Sequence, residues 1–204
     1  MGLFTPTFST DISKVLFVDD FVAASYNNRI WAVTGTGSIT SLSSVGGVVR
    51  VRANAGASYR FNHGNFGSYS VAQQASITWY GSMIPAVAAG GLSSCGLQSS
   101  TAPTTSYMAW VYNPNTNANF TCICISAGTS TVFNSGITGN NLNHTFRIEC
   151  YPGNVIFYFD NTLVTTITTN ITANTLQPFV SCTGSAAAIS DFNADWVYAL
   201  GDRI

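Results

Sequence analysis

From His144 to Thr169 the chain reads HTFRIECYPGNVIFYFDNTLVTTITT, and this stretch restricts the possible folds more than any other. Phe146, Ile148 and Cys150 alternate with Arg147, Glu149 and Tyr151, the period of two that marks a strand with one buried face. Pro152-Gly153-Asn154 interrupts the pattern, because proline presets φ for a turn and glycine or asparagine accepts positive φ. The chain therefore reverses and returns as Val155 to Phe159. Asp160-Asn161 is a second turn signal, and Leu163 to Thr168 is sufficiently rich in β-branched residues to form a third strand. Together these segments predict an antiparallel meander.

The rest of the chain repeats that style. Val15 to Val22, Trp31 to Val33, Val45 to Val51, Ser58 to Phe61 and Gln73 to Met83 read as short strands. Leu92 to Leu97, Ser106 to Tyr112, Phe120 to Ser126, Thr131 to Phe133, Leu176 to Cys182 and Asp195 to Leu200 continue the series. Glycine, asparagine and proline turns separate them, and no run carries a helical stripe of period 3.6. Arg50 and Arg52 fall on one face of their strand and Val49 and Val51 on the other. Strands so apolar on one side must bury that side against a second layer. The expectation is an all-β fold, a two-sheet antiparallel sandwich with minimal helix, over residues 15 to 204. Residues 1 to 14 precede it as an extended arm.

Composition narrows the partners. Only 7% of residues are charged, against about 25% in ordinary soluble domains, while 46% are hydrophobic. That balance excludes disorder, and the polar surface must come from Ser, Thr, Asn and Gly. The net charge is −1 and Lys14 is the single lysine, so there is no basic field for nucleic acid or anionic lipid. No segment offers ~20 consecutive apolar residues, so membrane insertion is not expected. A surface this neutral resists self-association poorly, which points to a homo-oligomer or a member of a larger assembly. Met1 to Lys14 lacks a basic region followed by an apolar run, so the protein is expected to be made in a cytosol. Met1-Gly2 begins like a myristoylation signal, but Pro6 stands where Ser or Thr is required.

Candidate chemistry is sparse. Cys95, Cys122, Cys124, Cys150 and Cys182 are odd in number and show no CxxC spacing, which argues against a disulfide framework or a zinc site. Glycoside cleavage needs two carboxyl groups flanking the bond, yet Glu149 is the only glutamate. Asp19 and Asp20 are adjacent and point to opposite faces of a strand, and Asp191 with Asp195 could converge. Neither His63 nor His144 lies near a nucleophile-elbow sequence. No cluster of acidic residues suits a metal, and no cofactor is expected.

Asp19-Asp20-Phe21 followed by Trp31, the meander FRIECYPGNVIFYFDNTLVTTI and the closing Asp195-Trp196-Val197-Tyr198 resemble the concanavalin A-like lectin/glucanase superfamily. That superfamily is also called the laminin-G-like jelly roll, and the likeness is to its form in bacteriophage virion proteins. Asn161 stands where that family usually has glycine, a mild departure because asparagine also adopts left-handed geometry. The resemblance covers residues 15 to 200 and implies a jelly roll. It further implies a non-enzymatic virion protein, a head decoration, fibre or appendage subunit, located in the virion and contacting itself and other virion proteins such as the capsid. A carbohydrate-binding module that recognises host surface glycan is the alternative reading, and a glycan hydrolase comes third, since the family's glutamate-rich strand motif is missing. Lectin sites on this fold use aromatics and amide or acid side chains, which selects Trp79, Trp110, Tyr112 and Asn115 as carbohydrate-binding candidates.

Overall fold

A computed structural model describes residues 14–21, 30–42, 47–63, 69–87 and 90–202. The described residues form fifteen strands and a single 3-10 turn at Val71–Gln73. In chain order the strands are β1 Lys14–Asp19, β2 Trp31–Gly35, β3 Gly37–Leu42, β4 Val48–Ala53, β5 Ser58–His63, β6 Ser76–Ile84, β7 Leu92–Ser99 and β8 Tyr107–Tyr112. They continue as β9 Asn119–Ser126, β10 Thr129–Thr138, β11 His144–Tyr151, β12 Asn154–Phe159, β13 Thr162–Ile167, β14 Leu176–Thr183 and β15 Ser190–Asp202. The expected arm lies outside the described residues, apart from Lys14, which opens β1.

The strands divide between two sheets. An eight-stranded sheet runs β13-β12-β11-β6-β15-β4-β3, with β1 also pairing β15, and a seven-stranded sheet runs β10-β9-β8-β7-β14-β5-β2. Every pairing is antiparallel. This is the expected all-β jelly roll. The meander forms as read: β11 pairs β12 with Phe146 opposite Phe159, and β12 pairs β13. Asp160 and Asn161 both take positive φ, 47° and 66°, the signature of a two-residue hairpin turn whose twist matches its strands.

Alternation supplies the core. Val49, Val51 and Ala53 of β4, Tyr59, Phe61 and His63 of β5, and Phe146, Ile148 and Cys150 of β11 all point inward and are buried. Three tryptophans anchor the space between the sheets. Trp31 stacks on Phe61 at 4.4 Å, Trp79 meets the edge of Phe192 at 6.2 Å, and Trp110 is ringed by Phe146, Phe157 and Phe159 at 5.8–6.0 Å. Burying one such side chain contributes about 1.5–3 kcal/mol, so the aromatic layer dominates the stability of the sandwich. All five cysteines are free and buried within it. Burial raises every one of these thiols, pushing Cys124 up to about 12.

Three elements exceed the sequence reading. β3 has no counterpart among the strands read from the sequence, because Ser38 and Thr40 dilute its pattern; it forms as an edge strand that needs only one neighbour, β4. β10 runs to Thr138 and bulges between Asn134 and Thr138. β15 begins five residues earlier than expected, since the stretch Ser190 to Ala194 pairs both β4 and β6 before a bulge at Ala194/Trp196.

Candidate functional site

The seven-stranded sheet has a second apolar cluster on the side away from the core. Ala109, Val111 and Phe179 are buried there, with Leu92, Tyr107 and Ile123 packed around them. An outward face is normally solvated; here Ala109, Val111 and Phe179 are covered by neighbouring side chains, and Leu92, Tyr107, Ile123, Arg60 and Asn62 are the partly exposed groups around them.

Strand register gives the layout of this face. One row across the sheet is Thr34, Arg60, Ser181, Ser94, Val111 and Thr121, contributed by β2, β5, β14, β7, β8 and β9. The next row is Asn62, Phe179, Gly96, Ala109 and Ile123, and beyond it lie Gln177, Gln98 and Tyr107. Gly96 gives the middle of the face a bare floor. A Cβ there would come within 2.1 Å of the Met108 carbonyl oxygen, so no side chain fits.

Arg60 is the charged group of this face. Its Nη1 donates to Gln98 Oε1 at 2.8 Å and to the Pro103 carbonyl at 2.6 Å, and its guanidinium lies 5.3 Å from the centre of the Phe179 ring. The cation–π contact and the two neutral acceptors hold the side chain in one pose. Burial lowers the Arg60 pKa, partly opposed by Tyr107, and burial raises Tyr107 in turn. Gln98 is 1% exposed and Ser94 4%, so these polar groups are buried along with the apolar ones.

No described carboxylate lies on this face. Asp19 is held by Trp31 Nε1 at 2.6 Å and the Phe21 amide at 3.0 Å. Asp191 is on the outer face of the other sheet, where Arg52 grips both its oxygens at 2.8 and 2.7 Å and Arg50 approaches to 3.8 Å. Glu149, on that same outer face, accepts from Tyr151 and Tyr158 at 3.2 Å each and lies 3.5 Å from Arg147. Asp160 caps the β12–β13 turn by bonding His144 Nδ1 at 2.8 Å and the Thr145 amide at 2.8 Å. The Asp195 pKa is raised by burial and by the charge of Asp20 rather than of Asp191.

The four sequence candidates are not brought together. Trp79 and Trp110 are wholly buried between the sheets and present no ring to a ligand. Their parity explains the misreading: Met108, Trp110 and Tyr112 share the inward side of β8, leaving Tyr107, Ala109 and Val111 outward. Tyr112 is half-buried, packing on Phe120 at 5.1 Å and against the bare backbone of Gly139. Asn115 is exposed in the β8–β9 turn, its amide bonded to Asn113 Oδ1 at 3.1 Å. The residues the sequence reading missed are Arg60, Ser94, Gln98, Tyr107 and Phe179. One signal was available, since Arg60 stands out of phase with Tyr59, Phe61 and His63.

No family model and no curated protein matches the chain. Solved structures do. A beta-glucanase of Bacillus licheniformis superposes with a TM-score of 0.63 at 13% identity, covering 90% of this chain and 97% of its own. A glycoside hydrolase family 16 endo-glucanase from Bacteroides ovatus gives 0.67 at 11%, covering 89% and 98%. The Crh5 transglycosylase in complex with NAG gives 0.67 at 14%, covering 92% and 84%. At such identity the likeness establishes the concanavalin A-like jelly roll, with glycoside hydrolase family 16 proteins as its neighbours.

These neighbours correct the functional expectation. The chain was expected to be a non-enzymatic virion subunit, with surfaces for contact alone. Its structural neighbours are instead glucanases and a transglycosylase, and nothing found among them supports a bacteriophage setting. The physical error lay in treating the uncharged exterior as uniform. One face pairs its described arginines with carboxylates, while the other sets Arg60 among neutral acceptors over a buried apolar cluster.

Proposed function

We propose that the chain works on polysaccharide, seating a glycan strand across the outer face of the seven-stranded sheet as the first step of glycan processing. The observation that carries this reading is the partly exposed group Leu92, Tyr107 and Ile123, held over the second, buried apolar cluster and beside Arg60, Asn62 and Gln177. Sugar rings combine apolar CH faces with hydroxyl rims, and the Tyr107 and Ile123 side chains beside the amides of Asn62 and Gln177 match both. Glycan-acting neighbours that cover nearly the same length support the reading.

Strand holding is the step that the residues of this face account for. Two-carboxylate cleavage would need an acid and a base or nucleophile about 5–9.5 Å apart, and the described carboxyls lie elsewhere.

The test is a panel of soluble polysaccharides, followed by both saturable binding and release of reducing ends. Asn62→Trp places a large ring on the face without entering the core, and should abolish binding at unchanged melting temperature. Absence of binding and of reducing-end release across the panel would refute the proposal.

A further inference from the structure

Four arginines have described side-chain contacts, and three of them have a carboxylate partner. Arg50 and Arg52 share Asp191, and Arg147 sits beside Glu149. Arg60 differs from them. Among the described residues its hydrogen-bond partners are an amide oxygen and a backbone carbonyl, both neutral.

The geometry of the unused part of the guanidinium is informative. Nη1 donates both its hydrogens to Gln98 and Pro103, and the guanidinium carbon lies 5.3 Å from the centre of the Phe179 ring. Among the described residues nothing bonds the edge formed by Nε and Nη2, the edge with which arginine grips a carboxylate or other oxyanion through two parallel bonds. The residues packed beneath it are apolar and buried, and no described carboxylate shares the face, so an arriving anion meets no described like charge there. A desolvated cation without a counter-ion is costly to keep, and a sequence with only seven basic residues places one here.

We propose that the glycan accepted by this face is acidic, with a carboxylate or sulfate group pairing with the free edge of Arg60. This rests on the glycan reading above and adds the chemical class of the ligand. Arg60 is then a specificity determinant, because a neutral strand would leave the guanidinium desolvated and unpaired, whereas an anionic one neutralises it. The preference is local to this face, since the chain as a whole carries a net charge of −1 and offers acidic polymers no general attraction.

The experiment is titration of the whole chain with matched polymers: polygalacturonate for carboxylates, carrageenan for sulfate esters and soluble β-glucan as the neutral control. Acidic polymers should bind tighter than the neutral one, and more weakly as sodium chloride rises. Arg60→Gln should weaken the acidic interaction roughly ten- to a hundredfold, the range set by losing hydrogen bonds to a charged group, and weaken neutral binding by much less, so that the gap between the two classes narrows. Arg60→Lys keeps the charge without the fork and should fall between the two. The relative response of polygalacturonate and carrageenan shows which oxyanion is preferred. Equal affinity for acidic and neutral polymers, or Arg60→Gln variants that lose both or neither, would overturn the acidic assignment while leaving glycan binding intact. Failure of every polymer to bind would sink the glycan reading itself.

Discussion

The two outer faces of this sandwich are built from the same alternation and end in opposite electrostatic states. On the eight-stranded sheet each arginine with described contacts has a carboxylate beside it: Arg52 clasps Asp191, and Arg147 lies 3.8 Å over the Tyr158 ring beside Glu149. On the seven-stranded sheet the apolar floor is buried and Arg60 faces it with neutral acceptors alone. The first face satisfies its described arginines with carboxylates of the same sheet, whereas the second leaves one arginine without a described counter-ion.

That contrast can be broken or sharpened by experiment. The largest effect belongs to neither face. Trp110→Ala removes a ring from between the sheets and should cost about 3–5 kcal/mol in chemical denaturation. Retained stability with lost glycan binding would instead place Trp110 on a surface and erase the distinction between core and outer face. Next in size is a matched pair of charge removals. Asp191→Ala strands Arg52 and Arg50 and should cost about 1–3 kcal/mol, because both lose their buried partner. Arg60→Gln removes a cation that has no described counter-ion, and stability should stay within about 1 kcal/mol or rise. If the two variants destabilise equally, the faces do not differ as described.

Acid tests the core beneath both faces. His63 is buried against Phe17 at 4.5 Å and Trp31 at 5.6 Å, and burial pushes its pKa down to about 4. Unfolded, the imidazole takes up its proton near the ordinary value of about 6.5. The contribution of His63 is therefore full above that value and is lost as pH falls toward about 4, lowering the melting temperature by several degrees. His63→Phe should flatten the slope over this interval, and an unchanged slope would remove His63 as its source. The smallest effect is at Glu149→Gln, whose pair with Arg147 is partly solvated; denaturation should shift by under about 1 kcal/mol and less at high salt.

Particular residues explain how far the fold was legible. The β11–β13 meander could be read because Pro152-Gly153 and Asp160-Asn161 are short turns with specific backbone needs, and because its strands each bury one face. β3 was lost because an edge strand can form from Ser, Thr and Gly once a neighbour supplies hydrogen bonds. The outer face of the seven-stranded sheet was not legible at all. Its rows join residues from Thr34 to Ser181, and only strand order and register bring Arg60, Ser94 and Phe179 side by side. β8 was misleading for a local reason: in Tyr107–Tyr112, YMAWVY, both faces are apolar, so alternation could not tell Trp110 in the core from Val111 on the floor.

The five sequestered thiols have a consequence for handling the molecule. While the sandwich is intact, burial keeps them protonated and out of reach, so oxidants and reductants should leave its folded behaviour alike. Unfolding releases all five together. In air the denatured chain can then cross-link at random, and melting becomes a one-way event unless a reducing agent is present.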